Sequence, residues 1–145
     1  MTPAEQGPVT RLEDDAAWAE LRGHDIGRLA VSFAGEPEIF PVNFVVDQTS
    51  AVFLTAEGTK LLAATVGVVA VFEVDRVDAA GATSVIVRGP LREITDPDEL
   101  AAARELPLQP WVPTYKTHYL RLDATSIGGR RFRFGEAPLE PSQDG

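Results

Sequence analysis

The sequence predicts a mainly β domain, an antiparallel barrel with peripheral helices. Short apolar runs of strand length alternate with turn signals, stretches at helical spacing are few and brief, and no long strand–helix alternation is present to build a parallel sheet. The elements follow in order. Glu13, Asp14 and Asp15 place carboxylates where a helix N-terminus favours them, and Ala17, Trp18 and Leu21 share a face at helical spacing, so a short helix should end before Gly23. Strands are expected at Gly27–Ala34, Ile39–Val46 and Ala51–Ala56, bounded by the turn-forming GEP and DQTS. A short helix at about 59–65 leads to a strand at Val68–Asp75, a loop, and a strand at Ser84–Ile94. In TDPDEL, Asp96 reads as an N-cap, Pro97 as a first-turn residue and Glu99 as the acid reaching back, for a helix to about Glu105. Pro107, Pro110 and Pro113 make an irregular connection before two last strands, Thr117–Ala124 and Gly129–Phe134.

Length and composition narrow the function. The 145 residues suit one domain with one core. We expect a flexible lead at 1–11, the folded domain at 12–135 and a flexible tail at 136–145. Thirteen basic against twenty-two acidic side chains give a formal charge of −9, which argues against nucleic-acid binding and against a polybasic membrane anchor. No cysteine is present and there are only two histidines, His24 and His118, so a thiolate nucleophile is excluded and a dedicated metal site is not expected. The N-terminus lacks the pattern of a signal peptide, and no apolar run approaches the roughly 20 residues of a membrane helix. The expected location is cytoplasmic.

The corner at Gly58, Thr59 and Lys60 is chemically the most specific stretch. A helix N-terminus offers unpaired N–H groups, Thr59 a hydroxyl and Lys60 a full positive charge, while Gly58 lets a ligand come close. Such a corner suits a phosphate. A plain strand-to-helix turn, capped by Thr59 with Lys60 solvated, fits the same residues. A Walker A loop does not, because Phe53 stands where its first glycine would be.

The ordered set GRLAV, PVNFV, FLTAEGTKL, VAVFEVD, SVIVRG and SIGGRRF, spanning about Leu12 to Phe134, resembles the pyridoxamine 5′-phosphate oxidase-like family. That resemblance implies a Greek-key split β-barrel holding FMN, or in some members the deazaflavin F420, with a homodimer that carries its cofactor at the subunit interface. It places FLTAEGTKL, through Leu61, at the family's phosphate-binding segment, with Thr55, Thr59 and Lys60 around the phosphate. It puts Arg28 and the strand residues Pro41, Val42, Asn43 and Phe44 along the cofactor, and Arg130 at the family's closing GR. In a regular strand Val42 and Phe44 face one way and Asn43 the other, so only one set can meet a flavin ring.

The resemblance implies an oxidoreductase moving hydride between flavin and a small substrate; a non-catalytic flavin carrier is the alternative from another class. Three departures bear on the chemistry. The strand FPVNFVV has no basic residue, Leu61 follows Lys60 where the oxidases keep basic neighbours, and Thr83 stands where relatives often have tryptophan. Together they argue against oxidation of pyridoxamine phosphate.

Among the remaining candidates, Glu73 and Arg88 lie on consecutive strands and suit a cross-strand ion pair. Arg131 and Arg133 should share one face and Arg130 the other. Trp111 lies on the irregular connection and is placed to cover a ring system. Neither histidine has an orienting acid nearby in sequence, so no general acid or base is assigned.

Overall fold

A computed structural model of the chain describes residues 7–55, 68–108 and 118–135. Eight strands and two helices appear among them: β1 (Val9–Leu12), α1 (Asp14–Arg22), β2 (Ile26–Phe33), β3 (Glu36–Asp47), β4 (Ser50–Thr55), β5 (Val68–Val77), β6 (Gly81–Glu93), α2 (Pro97–Arg104), β7 (His118–Asp123) and β8 (Ser126–Arg133). The strands form one antiparallel sheet in the order β1-β8-β6-β5-β2-β3-β4-β7, and β6 also pairs with β7. That last pairing closes six strands into a barrel and leaves β8 and β1 as an extension. This is the antiparallel barrel the sequence predicts, in its split form.

The core is the inner half of each alternating strand. Leu29 and Val31 from β2, Phe72 and Val74 from β5, and Val85 and Val87 from β6 are buried at period two. Phe72 is the hub: its ring meets Phe44 at 4.6 Å and Phe53 at 5.1 Å, both edge-on, the arrangement aromatic quadrupoles favour. Helix α1 packs Ala17 and Leu21 into this core, with Trp18 partly buried against it, as the helical spacing requires. Asp96 caps α2 by accepting a hydrogen bond from the Glu99 amide at 2.9 Å, with Pro97 in the first turn.

Two expectations are corrected here. Val9, Thr10 and Arg11, placed in the flexible lead, form most of β1 and pair with Phe132, Arg131 and Arg130 of β8. Their prolines and small polar neighbours hid a four-residue strand that exists only because β8 offers an edge. Glu99 does not reach back to its own N-cap; its carboxylate grips Arg92 through two hydrogen bonds of 2.8 and 2.7 Å and lies 3.0 Å from Arg121 Nε. A charged two-pronged partner outcompetes the backbone amide. The helix expected at about 59–65 and Trp111 lie outside the described residues.

The closure depends on β6 changing partners along one edge. Residues 81–88 pair with β8, and residues 91–93 pair with β7. Gly89 sits at the changeover, where an added Cβ would stand 1.8 Å from the Asp123 carbonyl oxygen and 2.8 Å from its carbon. The backbone of the β7–β8 turn occupies the space a side chain would need, so only glycine fits. Gly89→Ala should therefore lower the unfolding free energy by about 1–3 kcal/mol, the usual cost of overpacking, or more if the strands cannot part. Urea denaturation of the variant and the parent measures it.

Candidate functional site

Because the barrel interior is filled, chemistry falls to the outer face and the barrel ends. The register sets the outer face in rows. Pro41, Arg28, Glu73, Ile86 and Gly128 stand side by side across β3, β2, β5, β6 and β8; Ile39, Ala30, Val71, Arg88 and Ser126 form the next row. Two neighbouring depressions lie on the β2–β3–β5 half. One, of about 200 Å³, is lined by Ile26, Arg28, Pro41, Val74 and Asp75, among others; the other, of about 360 Å³, by Arg28, Ala30, Ile39, Val71 and Glu73 with Asp75. Ile26, Ile39 and Val69 are exposed there at 39%, 63% and 67%. An apolar surface of this kind is what a planar ring or a second protein surface would cover.

The sequence-predicted residues divide between the two faces. Arg28 and Pro41 are cross-strand partners on the outer face, and Asn43, paired with Ile26, shares that side. Asn43 is nearly buried and donates from Nδ2 toward the Asp25 carbonyl at 3.5 Å. Phe44 points into the core and Val42 packs against it. Of the four, Pro41 is exposed, Val42 is half-buried, and Asn43 and Phe44 are buried, on opposite faces of the strand. Thr55 is buried at the end of β4, opposite His118 of β7. Thr59, Lys60 and Leu61 lie outside the described residues. Arg130 is on β8, in a different groove from Arg28.

Arg28 is already engaged. Its Nη1 lies 2.8 Å from Glu73 and 3.0 Å from Asp75. Burial, and then the neighbouring Asp75, hold the Glu73 carboxyl above the ordinary range even though Arg28 pulls the other way. The Glu73–Arg88 pair expected from the sequence does not form: Glu73 stands opposite Ile86, and Arg88 opposite Val71. Glu73 turns to the arginine beside it on β2 instead.

Residues that the sequence left unassigned form two further clusters. Both histidines have an acid in space: His24 Nε2 lies 2.7 Å from Glu20, and His118 Nδ1 lies 2.6 Å from Glu93. Glu93 is 25 positions away from His118 along the chain; only the β6–β7 pairing brings them together. Each of the two contacts is an imidazole–carboxylate pair of the kind that orients a general acid or base, and the His118–Glu93 pair lies next to Thr55. Around Thr83, Arg131 donates to the hydroxyl at 3.0 Å and Arg76 approaches it at 3.5 Å. Arg131 continues to Asp78 at 3.1 Å, and Arg76 to Glu20 at 3.0 Å. Arg131, then the Ala80 and Gly81 amides, hold the Asp78 carboxyl at about 2.

Among the described residues there is no cluster of histidines and carboxylates able to hold a metal, and no helix long and apolar enough to cross a membrane.

Comparison with known proteins agrees with this architecture. The sequence profile of the family described as pyridoxamine 5′-phosphate oxidase matches residues 13–131. A FAD binding protein from Mycobacterium smegmatis is 40% identical, with a TM-score of 0.78 over 86% of this chain and 99% of its own. A conserved protein of unknown function from Corynebacterium diphtheriae is 33% identical, with a TM-score of 0.74 over 87% of this chain and 99% of its own. The uncharacterized protein Rv3129 of Mycobacterium tuberculosis is 36% identical over 94 residues, which are 65% of this chain and 86% of that protein.

Glu73 provides a check on the outer-face charges. A carboxyl whose folded pKa is raised keeps its proton after the unfolded chain has lost it, so the folded state loses stability as pH climbs from the unfolded pKa to the folded one. Glu73→Gln removes that loss. The melting temperature of the variant relative to the parent should therefore rise between about pH 4 and pH 7, and thermal denaturation across that range measures the difference.

Proposed function

The chain belongs to the pyridoxamine 5′-phosphate oxidase family, and from that premise we propose that it is a flavin-binding oxidoreductase. The observation that carries the reading is the similarity to the FAD binding protein of M. smegmatis, 40% identical and matched over 99% of its length. The described residues fit a flavin. An apolar surface formed by the exposed Ile26, Ile39 and Pro41 with the half-buried Val71 suits one face of a planar ring. When bound, the flavin supplies the hydride chemistry.

The residues of the chain divide the work of holding it. Arg28, neutralised by Glu73 and Asp75, positions the outer face and is not a phosphate anchor. The anchoring role falls to Thr59 and Lys60 beyond the end of β4, where the sequence pattern carries a helix start and an ammonium group. FMN is the form the sequence pattern suggests; FAD is the form named for the M. smegmatis relative. The substrate is a small molecule stacked on the open face of the ring. A homodimer covering the apolar outer face, with the flavin between subunits, accounts for the exposure of Ile39 and Val69.

The deazaflavin F420 is the second reading. It draws on the arginines of β1, β6 and β8, which a longer anionic tail would need. A flavin carrier without turnover fits the same binding residues and differs only in failing to speed reoxidation of the reduced cofactor by added acceptors.

Protein purified from its native host should show the visible absorbance of a flavin, or of a deazaflavin under the second reading. A colourless protein that quenches the fluorescence of neither FMN, FAD nor F420 contradicts both. Lys60→Ala should weaken FMN or FAD binding roughly tenfold or more, the scale of one lost charge-assisted hydrogen bond, while circular dichroism stays that of the folded barrel. An unchanged dissociation constant removes Lys60 from the site.

A further inference from the structure

The smaller depression of the β2–β3–β5 half, of about 200 Å³, is lined by His24 together with the apolar Ile26, Pro41 and Val74. His24 lies just past the end of α1, where its backbone N–H donates to the Leu21 carbonyl at 3.2 Å. Its side chain and that of Glu20 are each 16% exposed, so the pair is sheltered but reachable. Arg28 and Asp75 also line the depression and are paired with each other at 3.0 Å.

The contacts of Glu20 decide what the imidazole can offer. Arg76 takes the Glu20 carboxylate in a two-pronged grip: Nη2 donates to Oε1 at 3.0 Å and Nε to Oε2 at 3.2 Å. This guanidinium holds the Glu20 carboxyl below the ordinary carboxylate range. At neutral pH Glu20 is therefore a carboxylate, which accepts hydrogen bonds and donates none. His24 Nε2, 2.7 Å from Oε2, must carry the proton of that contact. In a neutral imidazole one nitrogen donates and the other accepts, so Nδ1 is left as the acceptor. Among the described residues no hydrogen bond engages it.

The geometry points to His24 Nδ1 as the hydrogen-bond acceptor of this depression, for a flat apolar ring that carries an N–H or O–H donor. Ile26, Pro41 and Val74 supply the apolar wall, and the imidazole supplies the selection. A ring with a donor satisfies Nδ1, whereas a ring without one shuts it away from water unpaired, which costs more than the bond itself returns. Glu20 is a positioning residue, since it fixes which nitrogen is left for the ligand. Two sources offer this chemistry: the imide N–H of a flavin ring, and a hydroxyl or amine of a small substrate beside it. The inference stands on the imidazole and the depression, and not on the flavin reading.

The first test uses the full chain without cofactor, titrated with phenol and with toluene at about pH 8 and followed by NMR on the Ile26 and Gly27 amides. We expect saturable phenol binding, and a phenol-to-toluene affinity ratio that falls roughly threefold to tenfold in His24→Phe, which keeps a ring and loses the nitrogens. If His24→Phe fails to fold by circular dichroism, His24→Ala replaces it. The imidazole nitrogen shifts of the parent should show the proton on Nε2, and Glu20→Gln should mix the tautomers and lower the phenol ratio with them. No saturable phenol binding, a ratio that the His24 variants leave unchanged, or a parent proton on Nδ1 overturns the proposal.

Riboflavin and 3-methylriboflavin then separate the sources, and neither has a phosphate for Lys60 to hold. A preference for riboflavin that His24→Phe abolishes assigns the acceptor to the flavin imide. No such preference, with phenol still binding riboflavin-saturated protein through His24, assigns it to a substrate. No such preference, with phenol displaced by riboflavin, overturns the proposal, because the ring then covers the depression without using the imidazole. Failure of riboflavin, FMN and FAD alike to bind counts against the flavin reading alone, and the phenol titration still decides the role of His24.

Discussion

The structure depends on one strand edge serving two partners. Along β6, the first eight residues bind β8 and the last three bind β7, and the change is possible because Gly89 leaves space for the Asp123 carbonyl. The second pairing closes the barrel; the first carries β8 and β1 away from it as an extension. Without the changeover the sheet would either stay open, with β7 as a bare edge, or close without the extension. The outer face that runs unbroken from β3 to β8 is a consequence of the same arrangement, since β6 belongs to the barrel and also carries the extension.

Charged side chains add a second hold on the two helices beside their apolar packing. Helix α2 packs Ala103 and Leu100 against Val52 and Ile94, and Glu99 adds to this by taking Arg92 in two hydrogen bonds and facing Arg121 as well. Arg92 and Arg121 extend the network to Asp123 and Asp47. Helix α1 is tied in the same way through Glu20 and Arg76 to Asp78 and Arg131. Isolated surface pairs of this kind contribute little, but shared, two-pronged networks hold geometry better than single pairs. These arginines belong to the architecture. Their engagement is what separates them from Arg11, Arg88 and Arg130.

Much of this was legible in the sequence. Period-two apolar runs gave the strands from β2 to β8 to within a few residues, and the TDPDEL cap gave the start of α2, because both signals are local. Pairing is not local, and the misreadings follow from that. Strand β1 has no pattern of its own and needs the edge of β8. Glu73 was matched to Arg88 on the next strand, but register and the nearer Arg28 decided otherwise. Glu93 could not be seen as the partner of His118 before β6 was known to pair with β7. On β3 the alternation was readable, while the face turned outward was not, since that depends on which side Phe72 occupies. Arg11 and Arg130 show the same limit: their charge is visible in the sequence, and their meeting is not.

The outer face keeps its two chemistries apart. On the β2–β3–β5 half the surface is apolar and its arginine is paired; on the β6–β8–β1 half no ion pair among the described residues engages Arg11, Arg88 or Arg130, and the apolar floor is small. Glu73 and Asp75 stand between the halves on β5. An anion moving along the face from one groove to the other would have to pass these carboxylates, whose field opposes it at the short range where salt screens least. A ring seated over Ile39 and Pro41 therefore has reason to extend its phosphate away from β5, not across it. A molecule that reaches both grooves would need a neutral stretch where it crosses β5, or a second subunit whose own charges cover Glu73 and Asp75. The carboxylates of Glu73 and Asp75 form the divide between the two grooves.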